Sequence, residues 1–241
     1  MFTPHVFEPK YNGLPIIRFN ENVLLDMWHI TQISSIEASW WCTTVDQPDN
    51  CILVDELVLP KQKCGAVDSE ITAEGEAEVI TDFNLRDTES GTSLVGPDAR
   101  VNRLRGWFHS HVTMGTSPSA PDLAQVEKWR MKAQLPYIVR GIVNKAGRLQ
   151  VAFYDFRSAL KNVYVEDVPW ECVSAPEVED SRKARWRAEL AAKVSDYHAA
   201  HYPKTRGYFG EANAIRDKML FDLPRTYSDY LGSGAGYVRH D

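Results

Sequence analysis

The segment from Gly106 to Asp122 contains residue types that can bind a metal, at a spacing that can bring them together. His109 and His111 occupy alternate positions of a predicted strand, so their imidazoles point to one face while Ser110 points to the other. Asp122 begins a predicted helix, where backbone N–H groups keep a carboxylate ionised and oriented. If the intervening loop folds back, the three side chains can hold one ion. A fourth position would stay open for water, as in hydrolytic zinc sites.

Each part of this segment also has a simpler explanation. A His-x-His pair alone is weak evidence for a metal, because short motifs often match by chance. The residues "SAPD" form a good capping box, with Ser119 as N-cap and Asp122 reaching back to it. The ordered combination is what favours a site: His-x-His, seven residues, Ser, two residues, Asp.

This combination resembles the JAMM signature of the JAMM/MPN zinc metalloprotease family. His109, His111, Ser119 and Asp122 each stand at the family's spacing, and "GWFHSH" is similar to the family's strand that leads into the site. The resemblance extends more loosely over residues 14–168. Many members have proline after the second histidine, where this chain has Val112. That departure bears on the substrate subgroup and not on metal binding.

The resemblance implies one Zn²⁺ per chain, bound by the two histidines and the aspartate, with Ser119 donating to the oxyanion of the reaction. It also implies an upstream glutamate that acts as general base. Glu37 in "ISSIEASWWCTT" is our choice, because a carboxylate in an apolar, strand-like segment is costly to bury without a partner. Glu56 in "LVDELVLP" is the alternative, although an outward-facing strand residue also explains it. A solvated face explains the acids from Glu70 to Glu78.

The implied activity is a deubiquitinase-like isopeptidase that removes ubiquitin or a ubiquitin-like protein from a lysine. The modifier's tail would enter the cleft as an extended strand. Two alternatives remain open. The first is a peptidase that processes a ubiquitin-like or sulfur-carrier precursor, or that is associated with a phage tail. The second is a non-catalytic MPN scaffold, which the complete set of ligands disfavours.

The pattern of the chain predicts the elements that would position this site. A strand at 14–20 leads to a helix with Asn20 as N-cap, and a hairpin follows with its turn at Gln47 to Asn50. The run 68–98 has nine acidic residues and one basic residue, and it predicts a partly helical excursion with a mobile end. After the site strand come a helix that ends before Pro136 and three further strands. The expected fold is α/β (α+β), with the mixed sheet and flanking helices of the MPN/JAB, cytidine-deaminase-like fold.

We expect three regions along the chain. Residues 12–170 form the metalloprotease domain, 176–231 a C-terminal helical extension, and 232–241 a flexible tail. In the extension, a helical stripe joins Trp186, Leu190, Val194, Tyr197 and His198. His198 and His201 lie one turn apart but lack a third ligand at suitable spacing, so a second zinc is not expected.

Composition narrows the class of partner and the location. The formal charge is −6 and the pI about 5.7, which disfavours a nucleic-acid binder. The basic patch "SRKARWR" is better explained as an exposed helix face. No segment matches a secretion signal or a membrane span, and the four cysteines are too sparse to form a disulfide framework. We therefore expect a soluble, cytoplasmic protein that does not bind membranes; its oligomeric state is left open.

Overall fold

The computed structural model describes residues 13–65, 69–112, 114–133, 135–157, 163–173 and 181–196 of the 241. These residues form a mixed α/β structure with a curled eight-stranded sheet, a three-stranded sheet and four α-helices. The elements in chain order are β1 (Ile16–Asn20), α1 (Glu21–Ile33), β2 (Ser39–Gln47), β3 (Cys51–Val58), β4 (Gln62–Cys64), β5 (Ser69–Ile71), α2 (Ala73–Ser90), a short 3-10 helix (Arg100–Arg103), β6 (Leu104–His111), α3 (Ala120–Ala133), β7 (Tyr137–Asn144), β8 (Leu149–Asp155), β9 (Val163–Val165), β10 (Trp170–Val173), α4 (Ser181–Lys193) and β11 (Val194–Asp196).

Local signals in the sequence account for the first elements. The Asn20 side chain accepts a hydrogen bond from the Asn22 N–H and caps α1, as predicted. The hairpin of β2 and β3 turns where Asp49 and Asn50 adopt positive φ angles of 62° and 56°. Aspartate and asparagine tolerate this left-handed conformation better than most residues. The predicted turn chemistry is therefore confirmed.

The eight-stranded sheet has the order β10-β1-β3-β2-β6-β7-β8-β9. β1 runs parallel to both β3 and β10, and β6 runs parallel to β7, whereas the other neighbours are antiparallel. β6 lies inside the sheet between β2 and β7, and the strand is buried from Gly106 to His111. A strand covered on both sides gives its side chains fixed positions. The histidines predicted to bind metal are at the end of this strand.

The acidic run contains one long helix. Thr72 caps α2 by accepting from the Gly75 N–H, and Gly91 ends the helix in the left-handed conformation with φ of 70°. Most acidic residues of the helix are exposed, but Asp87 is buried and forms an ion pair with Arg100. The helical part of the predicted excursion is thus confirmed, while its mobility stays a prediction.

β10, α4 and β11 also pack on the same body. β10 extends the sheet beside β1, and α4 lies against α1, where the Trp186 indole donates to Asp26 at 2.6 Å. β11 pairs in parallel with β4. Described residues 13–196 fall within one compact unit. The three-region division, with its boundary between 170 and 176, stays a prediction.

The C-terminal helical stripe needs one correction. Trp186 and Leu190 are buried on α4 as predicted, but the helix ends at Lys193 and Val194 begins a strand. The predicted helix was too long because β11 finds a backbone partner in β4, which the helical pattern cannot show. Tyr197, His198, His201 and the predicted tail at 232–241 lie outside the described residues.

The helices and the cysteines can each be compared with the sequence. Across the described part of the chain, the helices are too short or too polar to cross a membrane. All four cysteines lie in this part, and each is a free thiol; Cys42, Cys51 and Cys64 are buried and Cys172 is exposed.

Candidate metal centre

The two histidines of β6 lie side by side on one face of the sheet. His109 and His111 are 1% and 4% exposed, and their Nε2 atoms are 3.0 Å apart. Ser110 points to the opposite side, where its hydroxyl accepts from the Ala38 N–H at 3.0 Å. The alternation expected of a strand is therefore observed, and it presents two nitrogen donors at one point.

Asp122 reaches the histidines from the first turn of α3. Its Oδ1 atom is 3.2 Å from Nε2 of His109, and its Oδ2 atom is 3.8 Å from Nε2 of His111. One ligand atom from each of the three residues lies within 4.8 Å of the others. The loop before α3 thus folds back as the sequence predicted, and the structure brings the three candidate ligands together.

Ser119 holds the carboxylate of Asp122 in place. The Ser119 backbone N–H and hydroxyl both donate to Oδ2 of Asp122, at 2.6 and 2.7 Å. The Asp122 N–H donates in return to the Ser119 oxygen at 3.3 Å. This is the reciprocal pattern of a capping box. The helix-capping and metal-site interpretations of "SAPD" are therefore compatible, since Oδ2 serves the cap while Oδ1 faces His109.

The charges of the group favour metal binding. Burial acts to raise the pKa of Asp122, but hydrogen bonds with His109 and His111 and from the Ser119 N–H outweigh it and hold that pKa well below its usual range. Burial lowers the pKa of His109. Metals bind the ionised carboxylate and the neutral imidazole, so both shifts prepare these two ligands.

His111 is oriented by a backbone carbonyl. Its Nδ1 lies 2.6 Å from the Gly115 oxygen, which fits an Nδ1–H that donates and leaves the Nε2 lone pair directed at the centre. Burial acts to lower the pKa of His111, but hydrogen bonds to Asp122 and Gly115 and the charge of Glu37 leave it raised. A bound cation would displace the proton from Nε2 of His111, because only a deprotonated nitrogen can coordinate a metal.

The donor set and its spacing fit a tetrahedral ion. Zinc bonds of about 2.0–2.2 Å place ligand atoms roughly 3.3–3.6 Å apart in a tetrahedron. The two histidine Nε2 atoms are 3.0 Å apart, and Asp122 approaches His109 to 3.2 Å through Oδ1 and His111 to 3.8 Å through Oδ2, so the contacts between the three residues are close to that range. Small rotations of the side chains would complete the geometry. Two nitrogens and one oxygen are also the ligand types found in catalytic zinc sites, which keep a fourth position open.

Glu37 lies beside this group but outside the set of three. It is 3% exposed, and its Oε1 atom is 3.9 Å from Nε2 of His111. The sequence placed it within a strand-like segment, but β2 begins two residues later at Ser39. Glu37 lies in the segment between the C-cap of α1, Ser34, and the start of β2. Its N–H donates to the Gly65 carbonyl at 3.1 Å. A buried carboxylate therefore faces the candidate metal centre.

The alternative glutamates have partners elsewhere. Glu56 forms ion pairs with Arg86 and Arg100 at the junction of β3 and α2. Glu74 and Glu78 form ion pairs with Lys61 on the surface. Of these acids, Glu37 is the one found next to the histidines.

Aromatic residues beside the histidines were not predicted as part of the site. The Trp107 ring stacks on His109 with centroids 4.9 Å apart, and Trp129 of α3 meets Trp107 edge-on at 5.1 Å. Trp107 stands two residues before His109, so alternation along the strand could have placed it on the same face. Trp129 also lines an open, mainly apolar groove of about 230 Å³ together with Trp41, Ile80 and Leu135.

The fold and site define a class of protein: a mixed α/β protein with two buried histidines and an aspartate that lie close enough together to bind one metal ion. Comparison with models of known protein families gives no match, and comparison with curated protein sequences gives none.

Proposed function

We propose that this chain is a zinc-dependent isopeptidase with the MPN/JAB fold, acting on conjugates of ubiquitin or a ubiquitin-like protein. The observation that carries the proposal is the convergence of His109, His111 and Asp122 on one point, with the Glu37 carboxylate beside them. These residues have the spacing of the JAMM signature along the chain. The resemblance suggests the peptidase chemistry, and the geometry supports the metal binding that this chemistry needs.

In this proposal His109, His111 and Asp122 bind Zn²⁺. When bound, zinc lowers the pKa of a coordinated water and polarises a carbonyl oxygen. Glu37 accepts the proton of the attacking water and later delivers it to the leaving lysine amine. The carboxylate is suited to this role by its burial and by its position 3.9 Å from Nε2 of His111, a proposed zinc ligand, which would put it close to a water on the ion.

Ser119 is the proposed donor to the oxyanion that forms on the scissile carbonyl. It is exposed at the start of α3, so a substrate can reach it. A hydroxyl has one proton, and in this structure that proton is donated to Asp122. The backbone N–H of Ser119 also donates to the same carboxylate oxygen. The hydroxyl can therefore turn to a substrate without leaving Asp122 unsupported.

An extended tail is the proposed form of the substrate at the cleft. β5 is the outer strand of the sheet β11-β4-β5, and its Ser69 hydroxyl lies 2.5 Å from that of Ser39, which pairs with His109. A peptide added to β5 would run toward the metal centre. The apolar groove near Trp41 and Trp129 can receive larger side chains of the tail. A cytoplasmic location belongs to this proposal, because conjugation systems and reduced thiols share that compartment.

Glu37→Gln is the experiment that tests the proposed chemistry. The variant should bind one zinc per chain but lose about 10²- to 10⁴-fold in turnover, because the amide cannot accept the proton. The assay is zinc-dependent cleavage of ubiquitin from a labelled lysine peptide. Glu89→Gln, at an exposed position near the end of α2, is the matched control and should retain activity.

Two results would contradict the proposal. If Glu37→Gln hydrolyses the conjugate at the wild-type rate, the general base is another residue. If the zinc-loaded wild type does not cleave the conjugate but cleaves a linear fusion at the modifier's C-terminus, the enzyme processes precursors and is not an isopeptidase.

A further inference from the structure

The segment that carries Glu37 is held by a buried amide side chain outside the candidate metal centre. Gln62 in β4 is 2% exposed. Its Oε1 accepts from the Ser39 N–H at 2.7 Å, and its Nε2 donates to the Ser39 carbonyl at 2.7 Å. Nε2 also donates to the Pro60 carbonyl at 3.2 Å. The amide of Gln62 thus pairs with Ser39 as the backbone of a neighbouring strand would.

The topology explains why Ser39 uses a side chain for this pairing. β2 pairs with β3 from Gln47 back to Trp41, which lies opposite Val58, the last residue of β3. Ser39 lies beyond the end of β3 on that side. Its N–H and C=O are buried and must be satisfied, because an unpaired backbone group there costs about as much as a lost hydrogen bond. Gln62 satisfies both groups.

The same short stretch of chain is anchored at every residue from Glu37 to Ser39. The Glu37 N–H donates to the Gly65 carbonyl, three residues after Gln62. Ala38 exchanges hydrogen bonds with Ser110, which stands between the two histidines. Ser39 is held by Gln62. Two of the three anchors therefore come from β4 and the residue that follows it, and the third comes from β6.

β4 is itself secured from both sides. It pairs with β5 on one edge and with β11 on the other, where Val194 stands opposite Gln62. The Ser195 hydroxyl also donates to the Gln62 carbonyl at 3.2 Å. A three-residue strand alone would be weak, but as the centre of a three-stranded sheet it can hold Gln62 in one position.

We propose that Gln62 is a positioning residue for Glu37: its amide sets the backbone at Ser39 and thereby places the Glu37 carboxylate next to the metal centre. This inference rests on the proposed function, in which Glu37 is the general base. Gln62 does not contact substrate or metal in this account. Loss of the Gln62 amide should lower turnover about 10- to 100-fold, the range seen when groups that orient active residues are removed. The affinity for zinc should not change.

Gln62→Met tests this proposal, since it keeps the length of the side chain and removes both hydrogen bonds to the Ser39 backbone. With the ubiquitin–lysine-peptide conjugate, kcat should fall about 10- to 100-fold while KM and zinc stoichiometry stay unchanged. In a Glu37→Gln background, Gln62→Met should cause no further loss, because it acts through Glu37. Thr44→Val is the matched control. Thr44 lies on β2, as Ser39 does, and the substitution removes its buried hydrogen bond to Tyr137 but should leave kcat unchanged. Gln62→Asn, with the amide one methylene shorter, serves if the methionine variant does not fold.

Amide hydrogen exchange gives a readout that needs no substrate. Exchange at residues 37–39 should rise at least about tenfold in Gln62→Met and stay unchanged in Thr44→Val. Unchanged exchange at these residues overturns the inference, and so does a Gln62→Met enzyme with wild-type kcat or with an equal loss in the Glu37→Gln background. A zinc-loaded wild type that does not cleave the conjugate overturns the proposed function instead, and the exchange result then decides whether Gln62 positions the segment.

Discussion

Replacing Ser119 with alanine separates two roles of one hydroxyl group. The hydroxyl donates to Oδ2 of Asp122 at 2.7 Å and accepts from the Asp122 N–H at 3.3 Å. The Ser119 backbone N–H, which the substitution keeps, donates to the same Oδ2 at 2.6 Å. The alanine variant therefore removes half of the support of the carboxylate and the whole of the proposed oxyanion donor.

The size of each effect follows from these contacts. Loss of the cap should lower the free energy of unfolding of the metal-free protein by about 1 kcal/mol. Weaker orientation of Asp122 should reduce zinc affinity about 10- to 100-fold, or about 1.4–2.8 kcal/mol. Because the Ser119 N–H is retained, we expect a loss of zinc affinity near the lower end of this range. Loss of the oxyanion donor should reduce turnover by about 10²- to 10³-fold even when zinc is saturating.

Two assays resolve these effects. Zinc affinity is measured by competition with a chromophoric chelator, and turnover is measured with the ubiquitin conjugate at a zinc concentration that saturates the variant. Ser117→Ala, at another exposed serine of the same loop, is the control and should change neither quantity. If Ser119→Ala binds zinc as tightly as the wild type and turns over at the same rate, the Ser119 hydroxyl neither supports Asp122 nor donates to the oxyanion.

Three further predictions concern stability. Asp26→Leu should lower the free energy of unfolding in urea by about 3 kcal/mol, because it leaves the buried Trp186 N–H without its 2.6 Å acceptor and Arg182 without its carboxylate partner; equal midpoints for the variant and the wild type would contradict this. Burial and the nearby cations of α4 lower the pKa of His29 to about 4, so the unfolded chain binds the proton first and stability should fall as pH drops from about 6.5 to 4. His29→Gln should flatten that fall in pH-dependent unfolding, and an unchanged slope would refute it. Gly141→Ala should cost about 1–3 kcal/mol, since its Cβ would stand 2.2 Å from the Phe108 ring; a thermal midpoint equal to that of the wild type would show that the ring moves freely.

The ligand group could be predicted because its information is local. Alternation along a strand determines that His109 and His111 share a face, and the capping box determines where α3 begins. Asp122 then needs only a loop of suitable length. Each of these rules acts within a few residues, and the structure places the three side chains together.

Other parts of the site depend on contacts between distant segments. Glu37 could be chosen as a buried acid, but its place before β2 is set by Gly65 and Ser110. Gln62 belongs to no motif. Its role arises because the pairing of β2 with β3 stops at Trp41 and does not reach Ser39. The pairing of β11 with β4 likewise explains why the C-terminal helix is shorter than predicted. No periodicity within one segment contains such information, since each contact joins residues far apart in the sequence.

The metal content of the purified protein tests the central claim most directly. We predict one zinc per chain by elemental analysis of the wild type, and less than about a tenth of that in His109→Ala and in Asp122→Ala, because each variant leaves two of the three ligands. The result that would contradict the account is a wild-type chain that binds no zinc when the ion is supplied, or variants that retain the full complement.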